Sequence, residues 1–214
     1  MKNVYLLLAL IVLVSCNSSR NIIIPFDYEA NFPDTKNGLT KEQGNEYHKS
    51  AMNQIQVNTV GKKLPKIFIY NANNKKVRLN KLIRQTTLIY ATDNHCGWGL
   101  EVLENDLPNA LEKLKKDSID VNTIALLVRT PEDSADMEDF IREAHEAKSK
   151  YNQFYIINES EAKKINAISA TTLLVDRQET VIYLGYGTNI DPDIFYERLK
   201  SKLLLTDAQR SARN

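Results

Sequence analysis

Cys96 is the residue of this chain best placed for chemistry. It lies in segment 95–99, which reads H-C-G-W-G, between a strand predicted over 87–91 and a helix predicted to begin near Gly97. A thiol at a helix N-terminus faces unpaired backbone N–H groups and the positive end of the helix dipole, and both favour the thiolate over the thiol. Because the thiolate is the attacking species in thiol–disulfide exchange, we predict Cys96 as a candidate nucleophile.

The other cysteine, Cys16, ends a segment typical of export. Lys2 supplies a positive start, and an apolar run over 4–14, interrupted only by Tyr5, leads to L-V-S-C at 13–16. The run is shorter than the roughly 20 apolar residues of a transmembrane helix. It resembles a bacterial lipoprotein signal with its lipobox, which implies cleavage of residues 1–15 and lipidation of Cys16. An ordinary secretory signal with an incidental cysteine is the alternative.

A lipid on Cys16 implies a protein anchored to the bacterial cell envelope. The residues that follow, 17–20, read N-S-S-R and carry no acidic sorting cluster, which favours the periplasm-facing side. With Cys16 modified, one cysteine remains, so no internal disulfide is expected and the exported domain must be stable through its core. A hydrophobic content of 43% can fill such a core.

Composition argues against several other functions. The net charge is +1 with well-mixed signs, so no nucleic-acid partner is expected. The three histidines, His48, His95 and His145, each lack a partner at metal-ligand spacing, so no metal site is predicted. No nucleotide-binding loop is present in the sequence, and we expect no cofactor.

The mature chain divides near residue 64. Segment 16–63 is polar and irregular, and we interpret it as a lipidated tether that is partly ordered; whether it packs against the domain is left open. A helix is predicted to begin at Thr40, which could form a capping box with Gln43. The domain spans 64–205, and the polar tail 206–214 is predicted to be frayed.

Within the domain, hydrophobic periodicity predicts alternating strands and helices. A hairpin is expected over 67–79, with its turn at 71–74. The further predicted strands span 87–91, 121–128, 154–157, 172–175 and 181–186, and the last two are expected to be antiparallel. Leucines at helical spacing follow Gly97, and the other predicted helices span 134–150, 161–165 and 191–205.

This order resembles the thioredoxin superfamily, and most of all its TlpA-like branch of membrane-anchored thiol–disulfide oxidoreductases. The hairpin after Leu64-Pro65, the T-L-L-V-D of 172–176 and the glycine at 185 match family motifs. The W-C-x-x-C motif of the family falls on segment 95–99. The resemblance implies a thioredoxin-like α/β fold: a central mixed sheet flanked by helices, with an N-terminal hairpin and a βα insertion matched by 153–166.

Three departures from the family pattern limit what can be carried over. Gly99 stands at the position of the resolving cysteine, so a dithiol cycle within the site is impossible. Ala170, before Thr171, stands at the position of a cis-proline that shapes the substrate groove. We expect a trans bond there, since a cis bond without proline costs about 3 kcal/mol. The helix proline, Pro108, lies one turn later than in the family, so the helix is expected to be longer or its kink displaced.

Two functions remain open. In the first, Cys96 exchanges disulfides with envelope proteins that carry thiols or disulfides, and an external thiol resolves the mixed disulfide. In the second, Cys96 is structural and the domain is a redox-inactive module that binds a protein partner. A peroxidase is less well supported, because Asp93 stands where peroxiredoxins carry threonine. The candidate contact residues for a substrate or partner are His95, Gly97, Trp98, Gly99, Ala170 and Thr171.

Overall fold

A computed structural model describes residues 21–27, 40–133, 140, 150–167, 169–186 and 192–211. The predicted lipobox with Cys16 and the residue His145 lie outside the described residues. So does the predicted helix over 134–150, apart from Phe140 and Lys150 at its end. No helix in the described part of the chain is long and apolar enough to span a bilayer.

The described helices and strands follow the predicted order closely. The helices are Lys41–Thr59 (α1), Gly97–Glu101 (α2), Leu107–Lys116 (α3), Glu159–Lys163 (α4) and Pro192–Ser211 (α5). The strands are Phe68–Tyr70 (β1), Lys76–Arg78 (β2), Thr87–Asp93 (β3), Asn122–Arg129 (β4), Phe154–Asn158 (β5), Thr171–Val175 (β6) and Val181–Tyr186 (β7). A π-helical segment, Val102–Asp106, joins α2 to α3, and a 3-10 turn spans Leu79–Leu82.

The strands described form one mixed seven-stranded sheet in the order β2-β1-β5-β4-β3-β6-β7. Strands β3, β4 and β5 are parallel, whereas β1 and β2 form the predicted hairpin and β6 and β7 form the predicted antiparallel pair. Strand β3 pairs with β4 on one side and β6 on the other, and its residues from Thr87 to Thr92 are buried. The predicted α/β fold with a central mixed sheet is confirmed.

The core has two layers, one on each face of this sheet. Successive strand residues point to opposite faces, so Ile89 and Ala91 of β3 join one hydrophobic cluster and Leu88 and Tyr90 join the other. The second cluster contains the predicted leucine face of the helix after Cys96, including Leu103, Leu107 and Leu114. Helix packing on this face therefore places the start of α2 directly above the end of β3.

The N-terminal extension is part of this core. Helix α1 begins with the predicted capping box, because Thr40 N donates to Gln43 Oε1 at 2.9 Å and Gln43 N donates to Thr40 Oγ1 at 3.3 Å. Ile55 of α1 is fully buried, and Ile23 and Phe26 of the segment 21–27 are almost so. All three belong to the cluster that also contains Ile89. The described part of the extension thus packs against the domain, which the sequence had left open.

The extension also covers the β7 edge of the sheet. Gly61 N donates to Val181 O and Val181 N donates to Lys62 O, both at 2.8 Å. Lys63 in turn bridges Thr180 on one side and Ile22 on the other. An uncovered strand edge presents unpaired backbone groups to other chains, and at the start of β7 two further segments of this chain lie alongside that edge.

The last helix corrects one prediction. It begins at Pro192, as expected from proline at the first helical position, but it continues to Ser211 rather than ending near residue 205. The sequence over 206–211 is T-D-A-Q-R-S, which contains neither glycine nor proline to stop a helix. Most of the predicted tail is therefore helical.

Candidate functional site

Cys96 occupies the N-cap position of α2, where the chain leaves β3. Its backbone is non-helical (φ −87°, ψ 86°), and its Sγ accepts a hydrogen bond from Gly99 N at 3.3 Å. The thiol is free and partly exposed. The first N–H groups of a helix have no partner within it, and here the sulfur takes the place of the usual hydroxyl or carboxylate oxygen. The predicted placement of Cys96 at a helix start is confirmed.

Gly99 is held against Thr92 by close packing. A Cβ atom at position 99 would lie 2.0 Å from Thr92 Oγ1 and 3.2 Å from Cys96 Sγ. Gly99 and Thr92 are both buried. Glycine in place of the second cysteine of C-x-x-C is therefore accompanied by a steric change, because Thr92 fills the space that a side chain at position 99 would need. Buried in this way, Gly99 offers no surface to a partner, contrary to the sequence expectation.

Tyr90 lies beneath the site. Its hydroxyl donates to Gly99 O at 3.1 Å, and the residue is fully buried. Burial raises the pKa of the Tyr90 phenol far above its ordinary value, and the negative charges of Cys96 and Asp106 raise it further. The phenol is therefore a permanently protonated donor that fixes the first turn of α2. Burial and the charge of Glu101 also raise the pKa of Asp106.

The imidazole of His95 lies next to a buried carboxylate. Its Nε2 lies 3.3 Å from Asp133 Oδ1, and the Asp133 side chain is only 2% exposed whereas that of His95 is 50% exposed. Thr130 holds this carboxylate through its backbone N, at 2.6 Å from Asp133 Oδ2, and through its Oγ1, at 2.9 Å. On the other side, His95 N donates to Asp93 Oδ1 at 2.9 Å. The loop before Cys96 is thus held through both the side chain and the backbone N of His95.

Two exposed residues flank the thiol on the first turn of α2. Trp98 is 60% exposed, so it does not cover the core. Gly97 is exposed, and a Cβ there would meet nothing within 4 Å. An exposed indole beside bare backbone is a feature that protein partners commonly use, since tryptophan is enriched among residues that dominate binding energy.

Ala170 and Thr171 lie at the same end of the sheet, because Thr171 pairs with Ala91 of β3. The described peptide bonds include no cis bond, so the expected trans bond is found. Ala170 has φ +42° and is 4% exposed. Thr171 is fully buried, with its Oγ1 donating to Ser169 O at 3.1 Å. Neither side chain is available to a partner, which corrects the sequence expectation for this pair.

The helix after the site is interrupted by a π-helical segment, Val102–Asp106, ahead of Pro108. Leu107 N donates to Val102 O, five residues back. Leu107 N is therefore lost to Leu103 O, and Pro108 has no N–H to donate to Glu104 O, so both carbonyls lack their usual partners. The Tyr151 hydroxyl donates to Leu103 O, and Lys150 Nζ donates to Glu104 O at 2.6 Å. The displaced proline is therefore accommodated by side chains that precede β5.

Sequence reasoning missed Tyr90, Thr92 and Asp133. A signal for Asp133 does exist, because Thr130 and Asp133 stand at capping-box spacing, at which Thr130 N donates to the Asp133 carboxylate. For Tyr90 and Thr92 no local signal exists, because both are ordinary strand residues. Among the described residues, no group of three or more His, Cys, Asp or Glu side chains is arranged to hold a metal ion.

Comparison with known proteins gives structural matches only. No protein-family model matches the chain. A search of curated proteins finds no match either. Copper-bound ScoI from Arabidopsis thaliana is similar at a TM-score of 0.50 and 16% identity, covering 66% of this chain and 98% of its own.

Two further structures have lower scores. A thiol:disulfide interchange protein from Bacteroides sp. has a TM-score of 0.48 and 18% identity, and covers 67% of this chain and 89% of its own. The exposed lipoprotein thioredoxin Etrx1 from Streptococcus pneumoniae has a TM-score of 0.47 and 14% identity, with 64% and 99% covered. The strand order and the similarity to ScoI agree: the chain has the thioredoxin-like α/β fold.

Proposed function

We propose that this protein is a lipoprotein of the bacterial envelope, anchored through Cys16 and facing the periplasm, in which Cys96 carries out single-cysteine thiol–disulfide exchange. The observation that carries the proposal is the placement of Cys96 Sγ. It is partly exposed at the start of a helix, and Gly99 N–H points at it from 3.3 Å. A hydrogen bond to sulfur stabilises the thiolate more than the thiol, because the anion is the stronger acceptor.

The proposed cycle has two exchanges that balance in atoms and electrons. First, the Cys96 thiolate attacks one sulfur of a substrate disulfide. An S–S bond to Cys96 forms, the substrate S–S bond breaks, and the other substrate sulfur leaves as a thiolate that takes up a proton. Next, an external thiol, deprotonated on attack, reacts with the mixed disulfide at the substrate sulfur. Cys96 leaves as thiolate, and the external thiol ends in a disulfide with the substrate sulfur. The external sulfur is thus oxidised, the released substrate sulfur is reduced to a thiol, and the number of S–S bonds is unchanged.

The crowding around Gly99 supports an external resolving thiol. A side chain at position 99 would collide with Thr92 Oγ1 at 2.0 Å, so the fold has no room for a resolving sulfur there. The only other cysteine of the chain is Cys16, which the proposal assigns to lipidation. The mixed disulfide would then persist until another molecule supplies the second thiol.

Trp98, Gly97 and His95 form the exposed surface around the thiol, which we call the thiol rim. In the proposed mechanism the thiol rim contacts the substrate polypeptide. Asp133 lies 3.3 Å from His95 Nε2 and keeps the imidazole in one orientation beside Cys96. We assign Asp133 as a positioning residue rather than a group that touches the substrate.

The first experiment measures alkylation of Cys96 by iodoacetamide across pH 5 to 9, in the folded protein and in urea. At neutral pH the folded protein should be alkylated faster than the protein in urea. Only the thiolate reacts, and the hydrogen bond from Gly99 N in the folded protein favours the thiolate. The same protein should then form a mixed disulfide with a peptide disulfide and release it on addition of glutathione. Cys96→Ser is the blank for both reactions. A thiol that reacts only after unfolding would refute the exchange mechanism.

Anchoring is tested separately. Cells fed an alkyne-labelled palmitate should incorporate the label into the wild type and not into Cys16→Ser, and the wild type should sediment with membranes. A wild type that takes up no label would refute the lipid anchor while leaving the thiol chemistry open.

A redox-inactive binding module is the second candidate. The exposure of Trp98 favours it, since an indole that is 60% exposed beside an open Gly97 suits a protein contact whether or not the thiol reacts. This reading predicts that Cys96→Ser keeps the biological role and that Trp98→Ala loses it. The exchange mechanism predicts loss of the role in Cys96→Ser.

A further inference from the structure

The end of the described N-terminal segment is fixed to the body of the domain. Lys63 N donates to Asn21 O at 2.6 Å and Ile23 N donates to Lys63 O at 3.0 Å. Further along, Phe26 N donates to Asn166 Oδ1 at 2.7 Å, and Asn166 Nδ2 donates to Ile24 O at 3.1 Å. These bonds hold segment 21–26 in one place, so the chain before Asn21 leaves the domain from a defined position.

That position lies far from the thiol. Lys63 bridges Thr180, next to the first residue of β7, and Ile22 bridges Lys63 on its other side. Segment 21–26 therefore lies two backbone spacings beyond β7, level with the start of that strand. Val181 pairs with Val175, which pairs with Thr87 at the start of β3. Cys96 follows the other end of β3. The six residue steps along β3 at about 3.3 Å each give ~20 Å along the sheet, and four chain spacings of about 4.8 Å give ~19 Å across it.

The link to the proposed anchor is short. Five residue steps separate Cys16 from Asn21. A fully extended chain covers at most about 3.5 Å per step, so the lipid-bearing residue stays within ~17 Å of Asn21. The separation of Asn21 from Cys96, ~28 Å when the two perpendicular distances are combined, exceeds this reach.

Apolar side chains are exposed where the anchor joins the domain. Ile22 is 40% exposed and Ile24 is 54% exposed, whereas Ile23 between them points into the core at 3%. Ile24 N donates to Asn58 O at 3.1 Å, which brings the segment beside Val57, itself 72% exposed. We call Ile22, Ile24 and Val57 the anchor-proximal patch. Exposed Lys63 adjoins it and suits anionic headgroups.

We propose that the anchor-proximal patch rests on the phospholipid bilayer and that Cys96 is held away from it, on the aqueous side. This inference rests on the proposed lipidation of Cys16. Burying the patch in the interface removes apolar surface from water, and the short link leaves the patch no other position than close to the bilayer. The partner of Cys96 is then a water-exposed thiol or disulfide of an envelope protein, not one within the membrane.

The test uses lipidated full-length protein in vesicles of phosphatidylethanolamine and phosphatidylglycerol. A nitroxide is attached at Cys96 of the wild type, or at position 24 or 57 of the Ile24→Cys and Val57→Cys variants in a Cys96→Ser background. Electron paramagnetic resonance then compares collisions with membrane-soluble oxygen and with a water-soluble nickel chelate. Using two patch positions guards against one variant that folds poorly.

Labels at 24 and 57 should gain oxygen collisions and lose nickel collisions on vesicle binding, by at least twofold, while the label at 96 should keep its values in water. If the protein floats with the vesicles and the patch labels stay aqueous, or the label at 96 enters the interface, the orientation is wrong but the anchor stands. If the protein does not float with vesicles, the anchor and the orientation both fail. Thiol exchange, assayed separately, is independent of either result.

Discussion

Replacing Gly99 by alanine tests the steric account of the missing second cysteine. The new Cβ would lie 2.0 Å from Thr92 Oγ1 and 3.0 Å from Thr92 Cβ. Overpacking a rigid site costs about 1–3 kcal/mol, and a contact this short belongs at the upper end. Removing glycine from a helix returns at most about 1 kcal/mol. Gly99→Ala should therefore lower the free energy of unfolding by about 2 kcal/mol.

Thr92→Ala should relieve this cost. As a single substitution, Thr92→Ala removes a buried methyl and hydroxyl and should lower the free energy of unfolding by about 1 kcal/mol. In Thr92→Ala/Gly99→Ala the 2.0 Å contact is gone, and the contact with the Cβ of residue 92 at 3.0 Å needs only a small shift. The double-mutant cycle should give a coupling energy of about 2 kcal/mol, measured by urea unfolding of all four proteins.

Gly97→Ala is the matched control, because it lies in the same turn of helix with open space around its Cβ position. It should be neutral or slightly stabilising. A coupling energy below about 0.5 kcal/mol between positions 92 and 99 would refute the reasoning, as would equal effects of alanine at 97 and 99.

The same geometry predicts how a dithiol could be restored. A Cβ at position 99 lies 3.2 Å from Cys96 Sγ, close enough for an S–S bond once Thr92 no longer blocks it. On mild oxidation, Thr92→Ala/Gly99→Cys should form a disulfide between positions 96 and 99. Thiol titration should then find neither thiol, and the protein should remain a monomer. Gly99→Cys alone should be destabilised, and an unperturbed, fully oxidised single variant would contradict the steric account.

Four further changes test other features by unfolding measurements. Tyr90→Phe should cost about 1–3 kcal/mol, because the buried Gly99 carbonyl loses its donor; an unchanged stability would mean that the bond contributes nothing. Asn166→Ala should cost about 1–2 kcal/mol more than Asn166→Gly, since both lose the side-chain bonds but only alanine is strained at φ +54°. Ala170→Pro should prevent folding, because proline requires φ near −65° where the chain has +42°, whereas Ala170→Gly should fold. Asp106→Asn should be more stable than the wild type at pH 7, where the raised pKa of the partly exposed carboxyl makes ionisation unfavourable to the fold. That difference should vanish at a pH low enough to protonate Asp106 in both folded and unfolded states, and a difference that persists there would exclude this cause.

Local signals in the sequence predicted most of the fold. The capping box at Thr40, the turn between β1 and β2, and the proline at the start of α5 each act within a few residues, so they can be read without knowing the neighbours. The buried run of β4 predicted a central parallel strand for the same reason. Cys96 at the start of α2 belongs to this group, because a strand followed by a helix fixes its position.

Contacts made across the fold could not be predicted in this way. Whether Gly99 faces a partner or faces Thr92 depends on how α2 is rotated above β3, which the leucine face of the helix sets only after packing. Likewise, His95 meets Asp133 because β3 and β4 are parallel neighbours that end at the same edge of the sheet. The spacing of these residues in the sequence predicts neither the contact of Gly99 with Thr92 nor that of His95 with Asp133.

The bond between Phe26 and Asn166 also determines when the N-terminal segment can fold. The two residues are 140 positions apart, and a chain is synthesised from its N-terminus. Contacts that close so long a loop form after local structure, because the entropy of closure must first be offset by other contacts. Segment 21–27 therefore docks among the last parts of the molecule, and its backbone groups stay exposed to solvent until Asn166 has been synthesised and folded.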